Sequence, residues 1–189
     1  WNTDIGGFKG GRIKTDYFRE LIVRWFQYGV FCPIFRLHGV REHFDLDDPL
    51  SSGGDNEVWS FGERAYTILK DLLFLRERLR PYIMAQMRLA HETGIPMMRP
   101  LFFDFEDDEG CVPVDDQFMF GPDVMVAPVL FQGATTRQVY LPAGTQWTDA
   151  WTGQVYAGGQ RITADAPLEK VPVYLRGTDS PLRAVFAGQ

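Results

Sequence analysis

The periodicity of the apolar residues changes once along the chain, near residue 105, and that change restricts what it can fold into. Before it, the spacing is helical. Phe18, Leu21, Ile22, Trp25 and Phe26 recur at three- and four-residue steps, the pattern of a helix with one buried stripe. Ala65, Ile68, Leu69, Leu72, Leu73 and Leu75 repeat it on one broad face within residues 62–92. After the change, short apolar runs over 124–129, 138–141, 147–151, 154–156, 161–163 and 171–176 alternate with turn residues such as Pro142-Ala143-Gly144, Thr152-Gly153 and Gly158-Gly159. That rhythm reads as a small antiparallel β-domain. The expected fold class is α/β followed by all-β.

The first half has further punctuation. Residues 1–5 read as the end of a strand, which Gly6 and Gly7 stop. Lys9-Gly10-Gly11 continues as a loop, and neither phosphate-binding glycine pattern fits it. Thr15 or Asp16 caps the following helix, and Gly29 is expected to end it. Residues 40–60 form a long polar loop. Asp45 and Asp47 hint at a calcium loop, but Pro49, Leu50 and Asn56 fall where an oxygen ligand, a glycine and a glutamate are needed. Pro81 predicts two helices, or one kinked helix, over 62–92. Residues 97–104 are predicted to form an apolar strand buried on both faces. Glu106-Asp107-Asp108-Glu109 marks a solvated loop, and 117–120 suggests a short helical turn.

Composition excludes several classes. At 189 residues the chain can bury a substantial core, and 45% hydrophobic with 23% charged residues is a globular balance. A net charge of −6 argues against a nucleic-acid or anionic-membrane surface. Arg24 and Gln27 interrupt the most apolar stretch, so no run reaches membrane-spanning length. Cys32 and Cys111 stand far apart and give neither a disulfide framework nor a metal spacing, which leaves the compartment open. The chain begins at Trp1 inside a strand-like motif, so upstream sequence is expected.

Several motifs then occur in order: Asp4-Ile5-Gly6-Gly7-Phe8, Arg24-Trp25, Arg36-Leu37-His38, Arg80-Pro81-Tyr82, Pro96-Met97-Met98-Arg99-Pro100, Gly121-Pro122-Asp123-Val124-Met125-Val126-Ala127-Pro128-Val129, Trp147-Thr148-Asp149 and Val171-Pro172-Val173-Tyr174. Each is weak alone. Their succession resembles the C-terminal part of family 31 glycoside hydrolases, the α-glucosidase and α-xylosidase family. The resemblance covers nearly the whole chain. It implies the end of a (β/α)8 TIM barrel over 1–105, with residues 1–5 and 97–104 as its seventh and eighth strands. It implies a proximal antiparallel β-sandwich over 106–178, and the start of a further domain or linker over 179–189. It also implies a retaining mechanism with two aspartates, nucleophile and acid/base. In the family these lie upstream of the matched region, so the expectation is no catalytic residue in this chain, no hydrolysis by the chain alone, and a missing N-terminal part of the same enzyme as its partner.

What remains are residues for holding the sugar. By the resemblance, Asp4 lies at the end of strand seven beside the innermost (−1) subsite, and His38 hydrogen-bonds sugar hydroxyls there. Imidazole suits this because one ring nitrogen donates and the other accepts. Phe8, Arg36 and Phe35 are candidates for the pocket wall or its support. Read locally, an Asp before Gly-Gly is a turn residue, Arg36 an ion-pair partner, and Trp25, Phe26, Trp147 and Trp151 core. The expected partner is a carbohydrate substrate, with no nucleic acid, membrane, cofactor or metal. Two rivals stand beside this reading. One is a non-catalytic carbohydrate-binding or structural module. The other is a zinc hydrolase using His38, His43, Asp45 and Asp47, whose spacing matches no ligand motif. Trp1–Gly7 and Phe31–Arg36 look closer to bacterial α-xylosidases than to eukaryotic α-glucosidases, and action on xyloglucan would place the enzyme outside the cytoplasm.

Overall fold

The computed structural model describes residues 2–41 and 53–187. The N-terminal half is built on two helices, α1 (Asp16–Val30) and α2 (Glu63–Thr93). Thr15 caps α1 and its hydroxyl accepts from the Phe18 amide at 3.2 Å. Gly29 does not end this helix, which runs one residue further to Val30. The reason is packing: a Cβ on Gly29 would lie 2.5 Å from the Ile5 Cδ1 atom. Glycine is there to let the preceding segment approach. Residues 1–5 form no extended strand among the described residues. A parallel bridge joins Ile5 to Leu37 and another joins Lys9 to Val40.

Helix α2 is continuous through Pro81 rather than split. Pro81 removes a helical hydrogen bond at a cost of about 3 kcal/mol. The buried stripe Leu69, Leu72, Leu75, Leu79 and Ile83 continues on both sides of it, and burying each such side chain contributes about 1.5–3 kcal/mol. Packing outweighs the break. Gly94 stops the helix in the left-handed region, at φ 77°.

The second half is antiparallel throughout. β1 (Met98–Arg99), β2 (Phe118–Phe120), β3 (Val124–Val126), β5 (Gln146–Asp149), β6 (Val155–Ala157) and β8 (Val173–Arg176) form a six-stranded sheet in the order β1-β2-β3-β8-β5-β6. β4 (Thr136–Leu141) and β7 (Gln160–Asp165) form a separate ribbon. Two short helices, α3 (Leu101–Asp104) and α4 (Arg183–Phe186), flank these strands. Two expectations are corrected. Residues 97–104 are not one barrel strand: β1 has two residues and pairs antiparallel with β2, and the chain then turns into α3. Residues 117–120 contain strand β2, not a helical turn.

Alternation along these strands explains their apolar character. Phe118, Phe120, Val124, Val126, Val173 and Leu175 face a core shared with α1 and α2. Met119, Met125, Trp147 and Tyr174 face the opposite core, with Val139, Leu141 and Ala164 of the ribbon. Strands β2 and β3 are covered on both faces, so they carry buried apolar residues at every position. Trp147 is fully buried and its indole donates to Pro142 at 2.9 Å.

Two arginines, Arg24 buried and Arg76 half-buried, tie the helices to neighbouring segments through main-chain carbonyls. Arg24 on α1 donates to Ala134, Ala166, Pro167 and Lys170, while the neighbouring Gln27 donates to Leu168. Arg76 on α2 donates to Val30, Cys32 and Pro33. Burial lowers the pKa of both guanidinium groups. On the outer surface Leu73, Phe74 and Met84 of α2 are exposed.

Candidate functional site

The site is built where the segment before α1 meets the segment after it. Gly6 and Gly7 both hold positive φ, 90° and 85°, and the Gly7 amide closes a turn on the Asp4 carbonyl at 2.7 Å. This turn projects Asp4 from the end of the segment that Ile5 anchors in the core. Trp25 supports it from α1, donating its indole proton to Thr3 at 2.9 Å.

The returning segment, residues 35–40, follows period two. Phe35 and Leu37 pack against the core, so Arg36 and His38 share the other face. Arg36 reaches Asp4 at 3.7 Å, with side chains 52% and 35% exposed. A pair this open contributes about 0–1 kcal/mol to stability, and both groups remain accessible to a polar ligand. His38 lies beside Phe8, ring centroids 5.6 Å apart, and Phe8 is 64% exposed. Asp4 with Arg36, and Phe8 with His38, therefore form two neighbouring pairs across one parallel junction. Phe35 stands apart from them. It packs edge-on against Phe26 at 4.6 Å and under Arg76, a supporting position rather than a wall.

A residue that sequence reasoning missed holds the junction together. Arg41 is 1% exposed, and its guanidinium donates to Gly6 at 2.7 Å, Gly10 at 3.0 Å, His38 at 3.0 Å, Ile5 at 3.5 Å and the Asn56 side chain at 2.8 Å. Among the described residues no carboxylate pairs with it. Asn56 also donates to the Gly39 carbonyl at 3.3 Å. Gly39, at φ 118°, lies so close to the opposite segment that a Cβ would sit 2.2 Å from the Gly7 carbonyl oxygen. In sequence, Arg41 precedes Glu42 at the edge of a polar loop and looks like a solvated charge. Nothing local signals that its partners are carbonyls.

Other groupings are less open to an outside polar ligand. A cleft of about 520 Å³ lies beside Tyr28, Phe102 and Phe118. Most of its polar lining is engaged internally: Gln117 with Tyr140, Arg99 with Asp104, and Asp116 with Arg137. Trp151 packs edge-on against Phe186 and donates to Val171. No group of three or more His, Cys, Asp or Glu among the described residues is placed to hold a metal. His43, Asp45 and Asp47, and with them most of the calcium-like loop, lie outside the described residues; Asn56, its last position, is committed to Arg41.

The fold and the junction define an α/β unit of parallel-barrel type, with polar side chains at a strand end, joined to an antiparallel β-sandwich. The chain belongs to glycosyl hydrolase family 31: residues 1–86 match the family's TIM-barrel domain and residues 94–179 its C-terminal domain. It is similar to an α-xylosidase from a soil metagenome, solved with xylose, at 49% identity and a TM-score of 0.92, over 99% of this chain and 29% of that one. The α-xylosidase of Saccharolobus solfataricus is 35% identical over 93% of this chain and 22% of its own length. Alpha-glucosidase 2 of Bacillus thermoamyloliquefaciens is 38% identical over 92% of this chain and 20% of its own length. The chain thus spans about a fifth to a quarter of the curated relatives it matches.

Proposed function

We propose that the chain forms part of a retaining α-glycosidase that removes terminal α-linked xylosyl residues, in preference to glucosyl residues, from oligo- or polysaccharides. The observation that carries the reading is the junction itself, where Asp4, Arg36, His38 and Phe8 flank two isolated parallel bridges in a family 31 chain. Barrel enzymes build their sites on such strand ends. Asp4 accepts hydrogen bonds from sugar hydroxyls in the −1 subsite, and Arg36 orients its carboxylate. His38 donates and accepts toward neighbouring hydroxyls, and the exposed Phe8 ring lies against the sugar's C–H face. Phe35 supports this wall from the core. The nucleophile and acid/base carboxylates come from the remainder of the enzyme, so this chain alone binds at most. Similarity to α-xylosidases favours xylose, while the matched α-glucosidases keep glucose as the alternative.

The working division is a barrel end over 1–105, a β-domain over 106–178 and a linker over 179–189. The place of Met98–Arg99 in the large sheet favours moving the first boundary upstream of residue 97. The test of function is turnover of nitrophenyl α-xyloside and α-glucoside by the complete enzyme and by this chain. The expected result is faster xyloside turnover by the enzyme and none by the chain. Faster α-glucoside turnover overturns the sugar assignment, and turnover by the chain overturns the placement of the catalytic carboxylates. Binding by a complete enzyme that never turns over either sugar would mark a non-catalytic carbohydrate-binding module.

A further inference from the structure

We propose that Arg41 is the positioning residue of the sugar-binding junction, setting the register between the segment that carries Asp4 and Phe8 and the segment that carries Arg36 and His38. The inference rests on the sugar-binding reading of those residues and adds to it the device that fixes their geometry.

The two segments have little regular structure of their own. They meet through isolated parallel bridges at Ile5–Leu37 and Lys9–Val40, with Val40 donating to Phe8 at 2.9 Å and Gly10 donating to Val40 at 2.8 Å. An array this short specifies register weakly. Arg41 supplies what is lacking. One terminal nitrogen of its guanidinium donates to Gly6 and Gly10 on the first segment, and the other spans Ile5 on the first and His38 on the second. The Nε donor binds Asn56, which in turn holds the Gly39 carbonyl. The planar fork has five N–H groups in fixed directions, and each is used. The His38 carbonyl is one of the acceptors, so the backbone that carries the imidazole is held directly.

The surroundings are shaped to this fork. A Cβ on Gly6 would lie 3.0 Å from a terminal nitrogen of Arg41, and the Phe18 ring covers the guanidinium at 5.5 Å. Lysine cannot substitute, because an ammonium is a point donor that cannot span both segments. Neither Arg41 nor Asn56 touches the sugar. Their effect passes through the placement of His38 and Asp4.

The experiment is a double-mutant cycle in the complete enzyme, assayed on nitrophenyl α-xyloside well below the melting temperature of each variant. Asp4→Asn and His38→Ala first test the sugar-binding reading itself. If both leave kcat/KM unchanged, that reading fails and the Arg41 assignment goes with it. Given their loss, Arg41→Met is expected to lower kcat/KM about 100-fold, the effect of displacing a binding group by roughly 1 Å. Arg41→Lys should recover less than a tenth of that loss. The decisive readout is coupling: Arg41→Met on top of His38→Ala should cost at least about tenfold less than it does in the parent, because part of its effect passes through His38. Full additivity, or an Arg41→Met variant within threefold of the parent, overturns the proposal while leaving the sugar-binding reading intact. Should Arg41→Met fail to fold, Asn56→Ala carries the same cycle, with an expected loss of about five- to tenfold that also shrinks in the His38→Ala background.

Discussion

Gln117 offers a sharp test of how the β-sandwich is closed. Its side chain is 4% exposed and imitates one rung of a β-ladder. Its amide nitrogen donates to the Tyr140 carbonyl at 2.9 Å, and its amide oxygen accepts from the Tyr140 amide at 2.8 Å. Tyr140 lies in β4, so this side chain stitches the ribbon to the large sheet. In Gln117→Leu the volume is nearly kept but two buried main-chain groups lose their partners. Each costs about 1–3 kcal/mol, and the added apolar burial returns about 1 kcal/mol. The net loss is about 1–5 kcal/mol, which for a domain of this size lowers the melting temperature by roughly 4–40 °C. Calorimetric or circular-dichroism melting measures it. Gln117→Glu sharpens the test. Protonated, the new carboxyl can both donate to and accept from Tyr140 as the amide does; ionised, it is a buried charge facing a carbonyl. Its folded pKa is therefore raised above the ordinary carboxylate value of about 4.3. The variant should approach parent stability below that pH and lose stability as pH rises through the folded pKa. A Gln117→Leu loss under about 0.5 kcal/mol, or a Gln117→Glu variant whose deficit relative to the parent is smaller at neutral than at acid pH, would refute the rung.

Three further outcomes follow from contacts already described or close to them. Asp108 accepts from Tyr140 at 2.8 Å, Ala143 at 2.7 Å and Gly110 at 3.0 Å; burial opposes its charge, but these bonds leave its pKa below the ordinary value. Its stabilisation is present above about pH 3.9 and lost as pH falls through the lowered folded pKa, so Asp108→Asn should flatten the acid limb of the stability curve measured by urea melts. Tyr82 joins α2 to the β2–β3 turn, donating to Phe120 at 3.0 Å and accepting from Asp123 at 3.3 Å; Tyr82→Phe should cost about 1–3 kcal/mol in the same melts. Gly39→Ala places a methyl against the Gly7 and Phe8 carbonyls, and by separating the two site segments it should reduce α-xyloside kcat/KM at least about 100-fold in the complete enzyme.

The sequence made some parts of the molecule readable and hid others for physical reasons. The strands of the second half announced themselves because left-handed glycines bracket them, Gly144 at φ 82°, Gly153 at 78° and Gly159 at 77°. The α1 stripe was equally plain. Residues 97–104 misled because a mostly apolar run without alternation carries no clear period, and the choice between strand and helix fell to the partner strand β2 and the turn at Pro100. The triad Phe118–Phe120 misled for the same reason, being buried on both faces. At the site, period two places Arg36 and His38 together, and the structure sets Asp4 and Phe8 beside them. Arg41 was invisible because its partners are main-chain oxygens. Arg24 shows the extreme, with an acceptor 146 residues away in sequence.

The arginine contacts have a consequence for how such a chain can change. Arg24, Arg41 and Arg76 grip peptide oxygens, which every amino acid possesses. They are fasteners that hold the chain without reading it. Side chains at the gripped positions, Cys32 and Pro33 beneath Arg76 or Ala134, Ala166 and Lys170 around Arg24, can be exchanged without losing a bond, provided the backbone path survives. The glycines beside Arg41 are the exception, because their path itself demands glycine. Such an arrangement separates two kinds of information: a few arginines and glycines fix where the loops run, while the residues between them are left free to vary.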